Sequence, residues 1–208
     1  ETDLITQVRR QVDAFVLVSP RQKAATLVEA ADGTPVVFVN RPVKPAAGTG
    51  SVVVDNTRAL HDAAEHLWGL GHRRFALLRG PKRSWAAQER RKAVVAWANE
   101  RGTELVELGP YEALFDGGVA AAAALARHEV TGVLAFDDVM ALGVINGLAR
   151  RDVTVPDALS IVGCDDVLLA RTASPMLSTI RSPNEAVGDA VARALTGLLE
   201  GETPTGTA

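Results

Sequence analysis

Two pairs of adjacent carboxylates, Asp137-Asp138 and Asp165-Asp166, each close a short apolar run. Leu159, Ile161 and Val162 have the pattern of a buried strand, Gly163 permits a tight backbone turn, and the acids emerge where that strand ends. The run 133–136 repeats the arrangement and leads directly into an apolar helical stretch. In open α/β sheets the carboxyl ends of strands are where ligand crevices form, so both acid pairs are expected to face one crevice. An ionised carboxylate is an acceptor-only group that holds hydroxyl or N–H donors of a ligand. Paired acids also perform general acid and base catalysis in glycoside hydrolysis, but there the carboxyl separation decides the chemistry, and nothing in the sequence sets it.

Other chemistries find less support. The four histidines, His61, His66, His72 and His128, lack metal-ligand spacing, since His61 and His66 splay apart on a helix. The stretch Gly80-Pro-Lys-Arg-Ser84 lacks the second glycine and the GK[ST] ending of a phosphate loop, and no G-x-G-x-x-G follows the first strand. Ser19, Ser84 and Cys164 have no identifiable base partner. The expectation is a binding protein with no enzyme activity, metal or cofactor.

Two further side chains could reach a ligand. Arg21 follows Ser19-Pro20 at a strand end, and Trp85 opens the helix that carries Arg90. Each has a plainer role open to it, solvation for Arg21 and packing for Trp85. Asp138 precedes a helix and reads as its N-cap, and Asp166 reads as the cap of the following turn.

The elements that must position these groups alternate between strand and helix, the pattern of a parallel sheet covered on both faces. Strands at 14–18 and 36–39 flank a helix at 24–31. Residues 43–51, with Pro45 and two glycines, read as a connection into a second layer. Strands are then expected at 52–54, 75–78, 105–108, 133–136 and 160–163, with helices at 57–70, 85–100, 118–128 and 139–150 between them. A last strand at 177–180 and a helix at 184–200 follow.

With 22 basic against 25 acidic residues, a net charge of −3 and no basic cluster, this chain lacks the surface that grips phosphates, so nucleic acid is not its own direct ligand. Its single cysteine cannot form an internal disulfide, which suits a reducing compartment. No apolar run approaches the roughly 18 residues that a membrane span needs.

The segments 52–56, 66–78, 136–143, 155–166 and 174–181, including Val155-Pro-Asp-Ala-Leu-Ser-Ile-Val-Gly-Cys-Asp-Asp166, resemble in order and spacing the effector-binding core of lactose/galactose-type bacterial repressors. The resemblance runs from about residue 10 to residue 200. It implies a two-lobed, type I periplasmic-binding-protein-like α/β fold, with residues 1–41 and 171–200 in a partial first lobe, 42–170 in the second, and an effector crevice between them. By the same resemblance Asp165 accepts hydrogen bonds from the effector, Arg90 donates to it, Asp137 lines the pocket, and Tyr111 or Phe115 supplies an aromatic wall, with Tyr111 preferred. Cys164 stands where the family has an aromatic residue, and Ala93-Val94 where it has glycine and an aromatic. The implied protein is a cytoplasmic homodimeric transcriptional regulator that responds to a sugar or related metabolite. It would reach operator DNA through an upstream helix-turn-helix, and this chain would be a piece of it. A periplasmic sugar receptor for transport shares the architecture and is the alternative.

Overall fold

The computed structural model describes residues 1–202. By compactness the chain divides into one unit of Glu1–Asp55, Arg83–Ala86 and the segment from Pro183 onward, and a second of Asn56–Lys82 and Ala87–Ser182.

In the first unit, β1 (Phe15–Val18), β2 (Val36–Val39) and β3 (Thr49–Val52) form a parallel sheet in that order. Helices α1 (Thr2–Val8) and α2 (Ala24–Ala31) cover one face through Ile5, Leu27 and Ala31 against Phe15, Val36 and Phe38. The opposite face, with Val37 and Val52, meets Leu198 of α8 (Asn184–Leu199). Helix α2 ends as its sequence dictates: Asp32 takes a left-handed conformation and its N–H returns to Val28 and Glu29.

Two expectations are corrected here. Residues 49–52 are not a connection but β3, whose register pairs Gly50 with Val37 and Val52 with Val39. The boundary expected after Arg41 therefore falls at Asp55. Nor does the last strand return to the first unit: β8 (Ser178–Arg181) pairs with β7 (Ser160–Asp165), and the chain leaves the second unit only at Pro183, not at residue 171. Helices α1 and α7 (Leu168–Thr172) were not anticipated.

The second unit holds five parallel strands, ordered β5 (Glu104–Leu108), β4 (Arg74–Leu78), β6 (Gly132–Ala135), β7, β8. Side-chain alternation sorts the core onto two faces. Phe75, Leu77, Leu134, Val162 and Cys164 point toward α3 (Thr57–Gly69) and α4 (Trp85–Arg101), where Leu60, Ala64, Leu67, Val94 and Trp97 receive them. Ala76, Leu78, Val133, Ala135 and Ile161 point toward α5 (Phe115–Leu125) and α6 (Asp138–Ala149). Trp97 is fully buried, with its ring edge-on to Phe75 at 4.9 Å and its Nε1 donating to Glu65 at 2.6 Å.

Helices α5 and α6 pack almost backbone to backbone. A Cβ on Gly143 would stand 2.0 Å from the Phe115 carbonyl oxygen, and one on Gly118 2.0 Å from that of Met140. No side chain can swing away to relieve either clash, because the obstructing atoms are main chain. Gly143→Ala is therefore expected to destabilise the protein by about 1–3 kcal/mol, the usual cost of overpacking. Urea unfolding checks this; an unchanged midpoint would mean that the two helices can separate freely.

Candidate functional site

The chain order of the second sheet reverses at β4. From there α4 and β5 go to one side, and α5 and β6 return to the other, so β4 and β6 flank a topological switch point. At that point α4 lays Arg90 across the carboxyl edge. Its Nη1 donates to the carbonyl of Phe136, the residue after β6, and its Nη2 donates to Oδ1 of Asp165, the last residue of β7, at 3.0 Å. The guanidinium lies 4.8 Å from the Phe136 ring centroid, and the residue is only 9% exposed. The ring rests on Gly80, where a Cβ would fall 2.4 Å from Phe136 Cγ. Glycine is thus the residue that allows this stack. A further guanidinium donor, Nε, is buried with no hydrogen-bond partner among the described residues.

One acid of each pair faces this arginine. Asp165 leaves its side chain 38% exposed, with Oδ1 committed to Arg90. Asp137 is the N-cap of α6, its Oδ1 accepting from the Met140 N–H at 2.7 Å. Burial pushes the Asp137 carboxyl above its ordinary value against the pull of that N–H, and the Asp165 charge adds to the rise.

The other two acids turn away, and both expected roles change. Asp138 is not the cap; Asp137 is. Asp138 is the first helical residue, 0% exposed, with Oδ2 accepting from the Val167 N–H at 2.9 Å and Oδ1 from the Thr179 hydroxyl. Nor does Asp166 cap a turn. Its carboxylate joins Arg171, at 3.0 and 2.6 Å, with Arg181, at 2.8 Å. Those hydrogen bonds hold its carboxyl down to about 2, against an ordinary 3.8. Both acids at the β7 terminus lie in the positive-φ region, Asp165 at 117° and Asp166 at 54°. Such conformations cost on the order of 1–3 kcal/mol each outside glycine, so the surrounding bonds must hold them there.

A second charged cluster stands at the ends of β4 and β5. Arg79 donates from Nη2 to the Gly109 carbonyl, and the Tyr111 N–H donates back to the Arg79 carbonyl at 3.0 Å. Arg91 forms a two-pronged ion pair with Glu107. Tyr111 is thereby fixed half-buried at the carboxyl edge. Phe115, the rival aromatic, starts α5 and lines an apolar groove with Val139, Leu142 and Ile145 of α6. Sequence reasoning passed over Arg79, Phe136 and Thr179. Arg79 carried a signal, since it directly follows β4 as Phe136 directly follows β6.

Two of the remaining expected residues, Arg21 and Trp85, fall in the first unit. Trp85 is half-buried in the first turn of α4, and five residues of helix turn it about 140° from Arg90. Arg21 belongs to the first unit. Its N–H donates to Glu1 at 2.7 Å, and its Nη1 is buried without a hydrogen-bond partner. Cys164 is 1% exposed in the core under α3 and α4, where burial pushes its thiol up to about 12. Among the described residues no group of three or more His, Cys, Asp or Glu could hold a metal ion, and no helix is long and apolar enough to cross a membrane.

Parallel sheets covered on both faces, with a buried arginine and carboxylates at a switch point, define an α/β ligand-binding domain. Residues 64–207 match the periplasmic binding protein-like domain family. The chain belongs to that family, among the domains of LacI-type transcriptional regulators. The HTH-type transcriptional regulator CelR of Thermobifida fusca is 33% identical over 82% of this chain and 52% of its own length. DegA of Bacillus subtilis is 32% identical over 86% of the chain and 55% of its length. The chain thus spans about half the length of these relatives. Among solved structures, a LacI family regulator from Arthrobacter sp. FB24 in complex with lactose aligns at TM-score 0.83 and 29% identity, over 98% of this chain and 76% of that one. A CelR-cellobiose complex aligns at 0.85 and 29%, over 99% and 65%.

Asp166 gives the structure a pH signature. A carboxyl lowered in the folded state stabilises it fully above the ordinary carboxylate value, and that stabilisation fades as pH falls toward about 2. Asp166→Asn is therefore expected to be less stable than the parent at pH 7, with the gap narrowing at pH 3. Urea midpoints at the two pH values test this, and a gap independent of pH would show that the charge does not matter.

Proposed function

We propose that this chain is the effector-sensing part of a DNA-binding transcriptional regulator, a repressor responding to a sugar or related metabolite. The observation that carries the reading is Arg90, bridging the Phe136 carbonyl and Asp165 beside Asp137 at the switch point. Asp165 Oδ2 and the Asp137 oxygen not engaged by Met140 are acceptors for ligand hydroxyls, and Arg90 Nε is a desolvated donor in want of an acceptor. Tyr111 supplies an aromatic surface at the same edge. Arg21 is the contact expected from the first lobe, and Trp85 the one expected at the crevice mouth.

The ligand acts by binding one conformation more tightly than another, which alters operator affinity through a helix-turn-helix outside this chain. The HTH-type relatives support a cytoplasmic regulator over a periplasmic transport receptor, and a non-enzymatic role. Calorimetry with cellobiose, lactose and ribose tests the reading. For whichever sugar binds, Asp165→Asn is expected to weaken affinity by about 1.5–3 kcal/mol, the worth of a hydrogen bond to a charged group, with the native circular dichroism spectrum retained at 25 °C. Full affinity in that variant would move the site elsewhere.

The regulator is proposed to act as a homodimer. The groove of about 530 Å³ lined by Phe115, Val139, Leu142, Ile145, Leu169 and Pro175 adjoins the exposed Leu168 and Met176. A ridge and a groove on one apolar face are what a two-fold interface uses twice. Leu169→Glu should convert a dimer to a monomer in sedimentation velocity; a dimer that survives it is built on another face.

A further inference from the structure

The turn that aims Asp165 at Arg90 is held from outside its own strand. Two successive non-glycine residues with positive φ do not hold themselves, and bonds from several elements converge on them. The Val167 N–H donates to Asp138 Oδ2, the Asp166 N–H lies 3.4 Å from the Thr179 hydroxyl, and Arg171 and Arg181 grip the Asp166 carboxylate. The same Thr179 hydroxyl donates its own proton to Asp138 Oδ1. Asp138, on α6, thus ties the turn after β7 to β8 through one fully buried carboxylate. Room for that carboxylate exists because residue 163 is glycine; a Cβ there would meet Asp138 Oδ1 at 2.2 Å.

We propose that Asp138 and Thr179 are positioning residues for ligand binding, a buried brace that fixes the backbone of Asp165 and thereby the direction of its carboxylate. This rests on the reading of Asp165 as a ligand contact. Asp138 and Thr179 touch no ligand themselves. The groups they adjoin do, Asp137 beside Asp138 on the chain and Asp165 at the end of the strand that pairs with β8. A single buried carboxylate therefore sets the separation of the two acceptors that a sugar hydroxyl pair would span. Asp165 could not keep its direction if the turn relaxed.

Three variants of the full 208-residue chain test the brace. Thr179→Val keeps the volume and removes the hydroxyl, Thr179→Ser restores it, and Asp138→Asn retains an acceptor for the Val167 N–H while its amide donates to Thr179. Two readouts are taken beside the urea midpoint. One is the calorimetric affinity for whichever of cellobiose, lactose and ribose the parent binds. The other is the rate at which an aromatic disulfide reagent labels Cys164, which sits in β7 immediately before Asp165 and is the chain's one thiol.

Thr179→Val is expected to lose about ten-fold in affinity, the worth of one such hydrogen bond. It should also label Cys164 faster than its change in global stability accounts for, and Thr179→Ser should restore both. Asp138→Asn should lie between. Parent-like affinity and labelling in Thr179→Val, or failure of Thr179→Ser to recover them, overturns the proposal. If the parent binds none of the three sugars, the sugar reading has failed on its own, and the labelling of Cys164, which needs no ligand, still decides the brace.

Discussion

A guanidinium buried to the extent of Arg90 has lost most of its hydration, and the loss is tolerable only when oxygen acceptors are placed around it with good geometry. Its partners come from the ends of two adjacent strands. The strand end of β6 offers a carbonyl, the strand end of β7 offers a carboxylate, and the Phe136 ring offers its face. Arg90 therefore fixes the relative advance of β6 and β7 and the distance of α4 from the sheet. A shift of one residue in any of them would strand the charge. The same requirement explains why Gly80 must be small, since the ring cannot lie beneath the guanidinium unless the β4 loop passes close behind it.

Opposite α4, the near contact of α5 and α6 does comparable work by different means. Gly118 and Gly143 remove the side chains that would hold the helices apart, and α6 is thereby drawn in until its first turn overlies the ends of β6 and β7. That places two acids at one helix N-terminus, where the backbone dipole favours negative charge. Burial still raises both carboxyls above their ordinary value, so the dipole and the N–H donors offset the desolvation without cancelling it. Asp137 and Asp138 remain costly ions held by geometry, which is the usual condition of a site shaped for binding rather than for stability.

Much of this was legible in the residues. Apolar runs ending in acids gave the positions of β6 and β7 to within a residue or two, and the family resemblance singled out Arg90 and Asp165, which the structure joins. The division of labour within each acid pair was not legible. Whether Asp137 or Asp138 caps α6 depends on where the first helical φ falls, a one-residue difference that propensity cannot resolve. The destination of Asp166 depends on Arg171 and Arg181, one on an unanticipated helix and the other on a strand expected to lie elsewhere. β3 was missed for a related reason. The sequence Gly48-Thr-Gly50 reads as a loop, yet glycine suits a short strand whose backbone alone is needed to complete the ladder with β2.

The charge balance at the switch point narrows what can bind there. Asp137 and Asp165 together outnumber the Arg90 charge, and two of the three kinds of donor nitrogen on Arg90 are already engaged with protein oxygens. A phosphate group placed there would meet two carboxylates at close range in a poorly screened setting. A neutral polyol meets the opposite situation. Its hydroxyls donate to the unused carboxylate oxygens, and one of them accepts from Arg90 Nε, so every buried group gains a partner and no new charge is desolvated. Asp137 adds a further discrimination. Its carboxyl is already pushed toward the protonated form, and each donor that a ligand offers it favours the ionised form. Each hydroxyl donor that a ligand offers Asp137 therefore offsets the desolvation that raises its carboxyl.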